Sequence, residues 1–130
     1  QMYKGGRIPK SLHPNLGTLN LVSALEVSSN PYFSILAGDY LHDPMQLYSA
    51  AQDFGFGQKT AIALPGEMSG SIPKDIATNR TGLYSVAIGQ HSLLTTPLQS
   101  ACMLSAIANG GTLPSPRIVD LVVGKGHHLE

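Results

Sequence analysis

Charge is what this sequence has least of: Asp, Glu, Lys and Arg make up 12% of its 130 residues, about half the share usual in a soluble domain. A surface so poor in charge is badly suited to standing alone in water. Eight basic residues balance eight acidic ones, so no net field gathers a nucleic acid or an anionic membrane, and nucleic-acid binding is not expected. A single cysteine, Cys102, excludes an internal disulfide or a multi-cysteine zinc site and fits either redox compartment. No apolar run approaches the ~20 residues needed to cross a bilayer, and residues 1–10 lack the apolar core of a signal peptide. The histidines His13, His42 and His91 lie in separate segments, and His127 and His128 are adjacent in the tail. None has zinc-type spacing, so no metal or cofactor is expected.

What is present suffices for one core, since a chain of this length buries about two thirds of its unfolded surface. A Gly- and Pro-rich opening leads to Thr18, a candidate cap for a helix over 18–28 with Leu21, Val22 and Leu25 facing one way. Pro31 disfavours the α conformation at Asn30, which breaks that helix and starts another over 31–41. Ser28, Ser29 and Asn30 therefore form an interhelical joint, with Asn30 as a cap. Asp43, Pro44 and Gln46 signal a third helix over 44–54, stopped by Gly55, with Leu47, Tyr48, Ala51 and Phe54 as its buried stripe. The aromatics Phe33, Tyr40, Tyr48 and Phe54 are expected in the core.

Residues 55–80 have no helical period and read as an irregular loop with one short β-like run over 60–64. The loop is too long for an idle connection, so it packs against something or shapes a site. The clearest helix spans 97–109: Thr96 caps, Pro97 takes the first position, Gln99 completes a capping box and Gly110-Gly111 ends it. It carries no charge and is apolar or small on every side, which implies cover all round. Three other helices and a loop are scant cover, so part of its partner surface is expected to lie outside this chain. The apolar run 117–123 reads as a strand. A start at Gln1 and a stop at Glu130 without a closing cap suggest a segment of a longer protein.

The string Gly17-x-Leu19-x-Leu21-x-x-Ala24-Leu25-x-x-Ser28-Ser29-Asn30 resembles the stretch that carries the S-x-N motif in class B penicillin-binding proteins. Further similar segments follow in the family's order: Phe54-Gly55-Phe56-Gly57, Pro65-Gly66-Glu67-x-x-Gly70-x-Ile72-Pro73, Ala87-Ile88-Gly89-Gln90, Thr95-Thr96-Pro97-Leu98-Gln99 and Ala108-Asn109-Gly110-Gly111. S-x-N alone is a weak signal, whereas the ordered set, running from about residue 13 to 119, is specific. It looks most like the elongation-type, monofunctional transpeptidases. At His91 many relatives have Gly instead, which puts the local loop in doubt.

The resemblance implies a mostly helical part of the α+β penicillin-binding protein and serine β-lactamase-like fold. It implies a parent D,D-transpeptidase that cross-links peptidoglycan stem peptides by serine acyl transfer and is acylated by β-lactams, with no cofactor. The parent would be anchored in the bacterial inner membrane, with this domain on the periplasmic side and cell-wall elongation proteins as partners. By the same resemblance, Ser28 relays a proton among the lysine, the nucleophile and the leaving amine, and Asn30 holds the substrate amide. A hydroxyl both donates and accepts, so it passes a proton without carrying charge, and a carboxamide matches a peptide group. Neither attacks a carbonyl unaided.

The nucleophile's S-x-x-K and the K-[ST]-G strand are the missing parts. Ser71-Ile72-Pro73-Lys74 matches the first pattern but follows the S-x-N motif instead of preceding it, and reads as coincidence. Gly124-Lys125-Gly126 lacks the middle residue of the second and reads as a turn. The polypeptide alone is expected to be inactive. Two other readings stay open: a noncatalytic sensor or interaction domain on the same fold, and an unrelated helical interaction module. Glu67 reads as a residue that orders the long loop, Gln90 and Thr95 as loop hydrogen-bonders, and Cys102 as a small buried hydrophobe.

Overall fold

The computed structural model describes residues 8–10 and 17–122. Helix α1 (Leu21–Glu26) starts later than expected, because Asn20 and not Thr18 caps it. The Asn20 carboxamide oxygen accepts from the Ser23 N–H at 2.9 Å, and Ser23 Oγ accepts from the Asn20 N–H at 3.0 Å. This reciprocal box satisfies two orphan donors at once, which a lone Thr18 does not. Helix α2 (Asn30–Ile35) runs on into a π turn (Leu36–Tyr40), filling the span expected as one helix. Asn30 is the first helical residue, not the cap; that position falls to Ser29, whose side chain makes no capping bond. Helix α3 (Met45–Asp53) starts one residue later than expected, with Pro44 and not Asp43 at the cap position, though Asp43 Oδ1 still accepts from the Met45 N–H at 2.9 Å. It ends where Gly55 takes φ 84° and Phe56 N–H reaches the Ala51 carbonyl, a left-handed stop that glycine adopts freely.

The long loop is irregular, as expected, up to a 3-10 turn (Asp75–Ala77), and the expected run 60–64 forms no strand. A helix that the sequence pattern had not marked then appears, α4 (Arg80–Val86), with Asn79 as its cap. Helix α5 (Pro97–Ala108) has the expected box: Thr96 Oγ1 accepts from Gln99 N–H at 3.1 Å and Gln99 Oε1 from Thr96 N–H at 2.9 Å. The strand expected over 117–123 is absent in 117–122, and residue 123 lies outside the described residues. A strand needs a neighbour to take its backbone groups. Here Ile118, Val119, Leu121 and Val122 are all more than half exposed instead.

The core is small and centres on α4. Ala37 of the π turn, Ile76 of the 3-10 turn, and Leu83 and Val86 of α4 are buried together, flanked by Leu41, Met45, Leu47, Tyr48 and Ala87. Full burial of Ile76 or Leu83 contributes roughly 1.5–3 kcal/mol each. The expected aromatic core is corrected: Tyr40 and Phe54 are exposed, Phe33 and Tyr48 partly buried, and among the described residues the fully buried ring is Tyr84. Helix α1 presents Leu21, Val22 and Leu25 outward with only Ala24 buried, and α5 leaves Leu104 and Ile107 exposed.

One buried amide ties the long loop to α5. Gln99 is 1% exposed, and its Nε2 donates to the Gln58 and Ser69 carbonyls at 2.7 Å each. Alongside, Ser71 and Leu94 form an isolated antiparallel bridge with bonds of 2.8 and 2.9 Å. Gly70 is required there, since its φ is 63° and a Cβ would lie 2.2 Å from the Leu94 carbonyl oxygen.

Candidate functional site

Between α1 and α2 the chain reverses over Val27, Ser28 and Ser29. Ser28 has φ 51°, the left-handed region that L residues other than Gly, Asn and Asp avoid. Its N–H bonds the Leu25 carbonyl at 3.1 Å and the Ser29 N–H bonds the Ala24 carbonyl at 2.9 Å, a Schellman stop with serine where glycine is usual. Such a residue costs on the order of 1 kcal/mol and persists only where the surroundings over-determine it. Ser28 is exposed, Ser29 is buried, and Asn30 is half-buried with its Nδ2 donating to the Lys10 carbonyl at 3.0 Å. Among the described residues, no hydrogen bond joins Ser28 to Asn30.

Behind this joint, α2 is held against α4. Ser34, fully buried one turn after Asn30, donates to the Tyr84 carbonyl at 2.8 Å. A turn further on, Gly38 lets the Tyr84 ring approach so closely that a Cβ there would meet Cε1 at 1.9 Å. Arg80 closes the contact: Nη2 donates to the Gly38 carbonyl and to Asp39 Oδ1, and Nε donates to Tyr84 Oη at 3.1 Å. The Tyr84 hydroxyl in turn donates to Asp39 Oδ1 at 3.1 Å. The Tyr84 hydroxyl, and then Asp39, hold the guanidinium above its ordinary pKa, so its charge is permanent. Sequence reasoning missed Asp39, Arg80 and Tyr84, because a pairing across some forty residues leaves no local periodicity to read.

At its far end α4 stops on Gly89, φ 75°, with Gln90 N–H bonding the Ser85 carbonyl at 2.9 Å. Two residues on, His91 takes φ 69°, a conformation that glycine adopts more readily. A bond holds it there: Nε2 lies 3.0 Å from Asp75 Oδ2, an oxygen that also accepts from Asn79 Nδ2 at 2.9 Å. Asn79 and then His91 hold the Asp75 carboxyl below its ordinary range. The loop after α4 is thus pinned back to the start of the same helix. Gln90 and Thr95 are exposed on this stretch.

Glu67 orders the long loop. Its Oε1 accepts from both the N–H and the Oγ1 of Thr60 at 2.6 Å. In the Ser71 to Lys74 tetrad the serine lies in the bridge to Leu94, and the Lys74 ammonium sits 5.9 Å from the centroid of the Tyr48 ring. Nothing there pairs a nucleophile with a base. Cys102 is a free, buried thiol. Among the described residues no three His, Cys, Asp or Glu side chains gather as a metal site. His13, His127, His128 and the turn expected at Gly124 to Gly126 lie outside the described residues.

Comparison with known proteins gives a consistent result. Residues 4–129 match the family model described as the penicillin binding protein transpeptidase domain. Penicillin-binding protein H of Bacillus subtilis is 37% identical over 91% of this chain and 18% of its own length. The peptidoglycan D,D-transpeptidase MrdA of Acinetobacter baumannii is 35% identical over 79% of this chain and 16% of its own. Among solved structures, penicillin-binding protein 3 of Mycobacterium tuberculosis complexed with ampicillin superimposes with TM-score 0.75. Its identity is 31%, covering 85% of this chain and 24% of that one. Penicillin-binding protein 2 of Helicobacter pylori, in a complex with MreC, gives TM-score 0.71 at 29% identity, covering 78% and 20%. The chain therefore spans less than a fifth of the two curated relatives and at most a quarter of the two solved chains.

Proposed function

Because this chain belongs to the penicillin-binding protein transpeptidase domain family, we propose that it is the S-x-N part of a peptidoglycan D,D-transpeptidase. That enzyme would cross-link stem peptides by serine acyl transfer and be acylated by β-lactams. The observation that carries the reading is Ser28, held in a left-handed backbone at an exposed joint between two helices, inside the string that resembles the family's S-x-N stretch. Ser28 relays a proton between the nucleophile's base and the leaving amine, and Asn30 holds the substrate's amide. For Asn30 this means exchanging its bond to the Lys10 carbonyl for one to substrate.

The remaining machinery lies in other parts of the parent protein. No helix-borne S-x-x-K and no K-[ST]-G occur in this sequence, so the nucleophile, its lysine base and most of the oxyanion site come from outside it. The outward apolar faces of α1 and α5 fit the same reading, as surfaces that the rest of the domain covers. The parent is anchored in the bacterial inner membrane with this domain on the extracytoplasmic side. It works with cell-wall elongation proteins, as the complex of the Helicobacter relative with MreC suggests.

Labelling with a fluorescent penicillin tests the reading. The longer protein that contains this segment should be labelled covalently, and the 130-residue polypeptide alone should not be. Stoichiometric labelling of the isolated polypeptide would show that the nucleophile is here after all. No labelling of the longer protein would favour a noncatalytic sensor on the same fold.

A further inference from the structure

Helices α2 and α4 meet through small residues. Ser34 offers α4 one hydroxyl and Gly38 no side chain at all. Those contacts set how close the helices come. Ala37 of the π turn, packed with Leu83 and Val86, adds an apolar contact. The directional restraint on tilt is the fork beside them, where Arg80 holds a π-turn carbonyl, the Asp39 carboxylate and the Tyr84 hydroxyl together. The side chains are only partly exposed, 33% for Arg80 and 17% for Asp39, so water competes weakly for the pair. A π turn inside a helix often accompanies a functional site, and this one places the Gly38 carbonyl and Asp39 within reach of one guanidinium.

The lever is long enough to matter. Asn30 lies four residues before the Ser34 contact, roughly 6 Å along the axis at 1.5 Å per residue. A tilt of about 10° about the Ser34 contact displaces Asn30 by about 1 Å, and a misplacement of that size costs up to ~100-fold in rate. We propose that Arg80, acting through Asp39 and Tyr84, is a positioning residue for the acylation step, fixing the axis of α2 and with it Ser28 and Asn30. It touches neither substrate nor the reacting atoms. The assignment rests on the transpeptidase reading above.

The test uses the longer protein, as wild type, Arg80→Ala and Asp39→Asn, with a fluorescent penicillin at saturating concentration. Two quantities are read separately: the first-order rate constant of labelling and the final fraction labelled. A positioning role lowers the rate constant, roughly ten- to hundredfold for Arg80→Ala and less for Asp39→Asn, while labelling still runs to completion. A merely structural role lowers the final fraction, and the surviving molecules react at the wild-type rate constant; that result overturns the proposal. Should Arg80→Ala not fold, Asp39→Asn decides on the same criterion, its amide keeping the size of the side chain. Rate constants unchanged in every variant that folds also overturn it. A wild-type protein that never labels defeats the transpeptidase reading itself, which labelled wild type with unaffected variants does not.

Discussion

Gly38 and Tyr84 share one space: the ring of Tyr84 occupies the volume that any side chain at position 38 would fill, with Cε1 at 1.9 Å and Cδ1 at 2.5 Å from an added Cβ. Tyr84 cannot yield easily, being fully buried with its hydroxyl bonded to Asp39 and Arg80. Gly38→Ala should therefore destabilise by at least about 2 kcal/mol, the upper part of the overpacking range. Chemical unfolding followed by circular dichroism measures it, and a change below about 0.5 kcal/mol would mean that the two helices separate readily.

Replacing Ser28 should move stability and chemistry in opposite directions. Ser28→Gly relieves the left-handed backbone and should stabilise by about 1 kcal/mol. In the longer protein it should also slow penicillin labelling sharply, because the relay hydroxyl is gone. Ser28→Ala should slow labelling equally while keeping the strain. A melting series on the two variants separates the effects, and normal labelling of Ser28→Ala would remove Ser28 from the mechanism.

Gln99→Met keeps the volume of the buried side chain but leaves the Gln58 and Ser69 carbonyls without their donor. Gln58 is exposed, so its carbonyl can turn to water, and the cost falls mainly on the partly buried Ser69 side. A loss of about 1–3 kcal/mol is expected. It should show first as faster proteolytic cleavage between residues 58 and 69. Wild-type resistance to protease would show that the loop is held by other contacts.

The loop should also loosen in acid. The Thr60 hydroxyl, with partial burial opposing and the Thr60 N–H assisting, holds the Glu67 carboxyl below its ordinary value of 4.5. A carboxyl depressed in the folded state adds stability that is complete above that ordinary value and is lost as pH falls through the lower folded one. Exchange of the Thr60 amide, corrected for its intrinsic rate, should thus accelerate as pH drops below about 4.5. Glu67→Gln should abolish that dependence, and an unchanged profile would place the acid sensitivity elsewhere.

How much of this was legible depends on the range of each interaction. Helix α5 could be read almost to the residue, because Thr96, Pro97, Gln99 and Gly110 obey rules that act within one turn. The break at Ser28 was legible for the same reason, through Pro31. Asn20 displaces Thr18 because its partner Ser23 completes a box, a local signal that the sequence carries. Helix α4 was harder. Gly82 and Thr81 are weak helix formers, and the marks it does carry are the Asn79 cap and the spacing of Leu83, Val86 and Ala87. Its burial supplies what propensity lacks. The run 117–123 failed as a strand since periodicity cannot tell whether a neighbouring edge exists. The Ser28-Asn30 site was proposed from a resemblance, and the Arg80, Asp39 and Tyr84 cluster behind it becomes visible only when the chain is folded.

The backbone at position 28 also bears on how this sequence can drift. Its left-handed geometry is most comfortable for Gly, then Asn or Asp, and none of these carries a hydroxyl. A variant library ranked by thermal tolerance alone would enrich those replacements early. Under the reading proposed here, the hardier survivors would be cell-wall enzymes that no longer turn over, so selection for robustness and selection for growth would part company at a single codon.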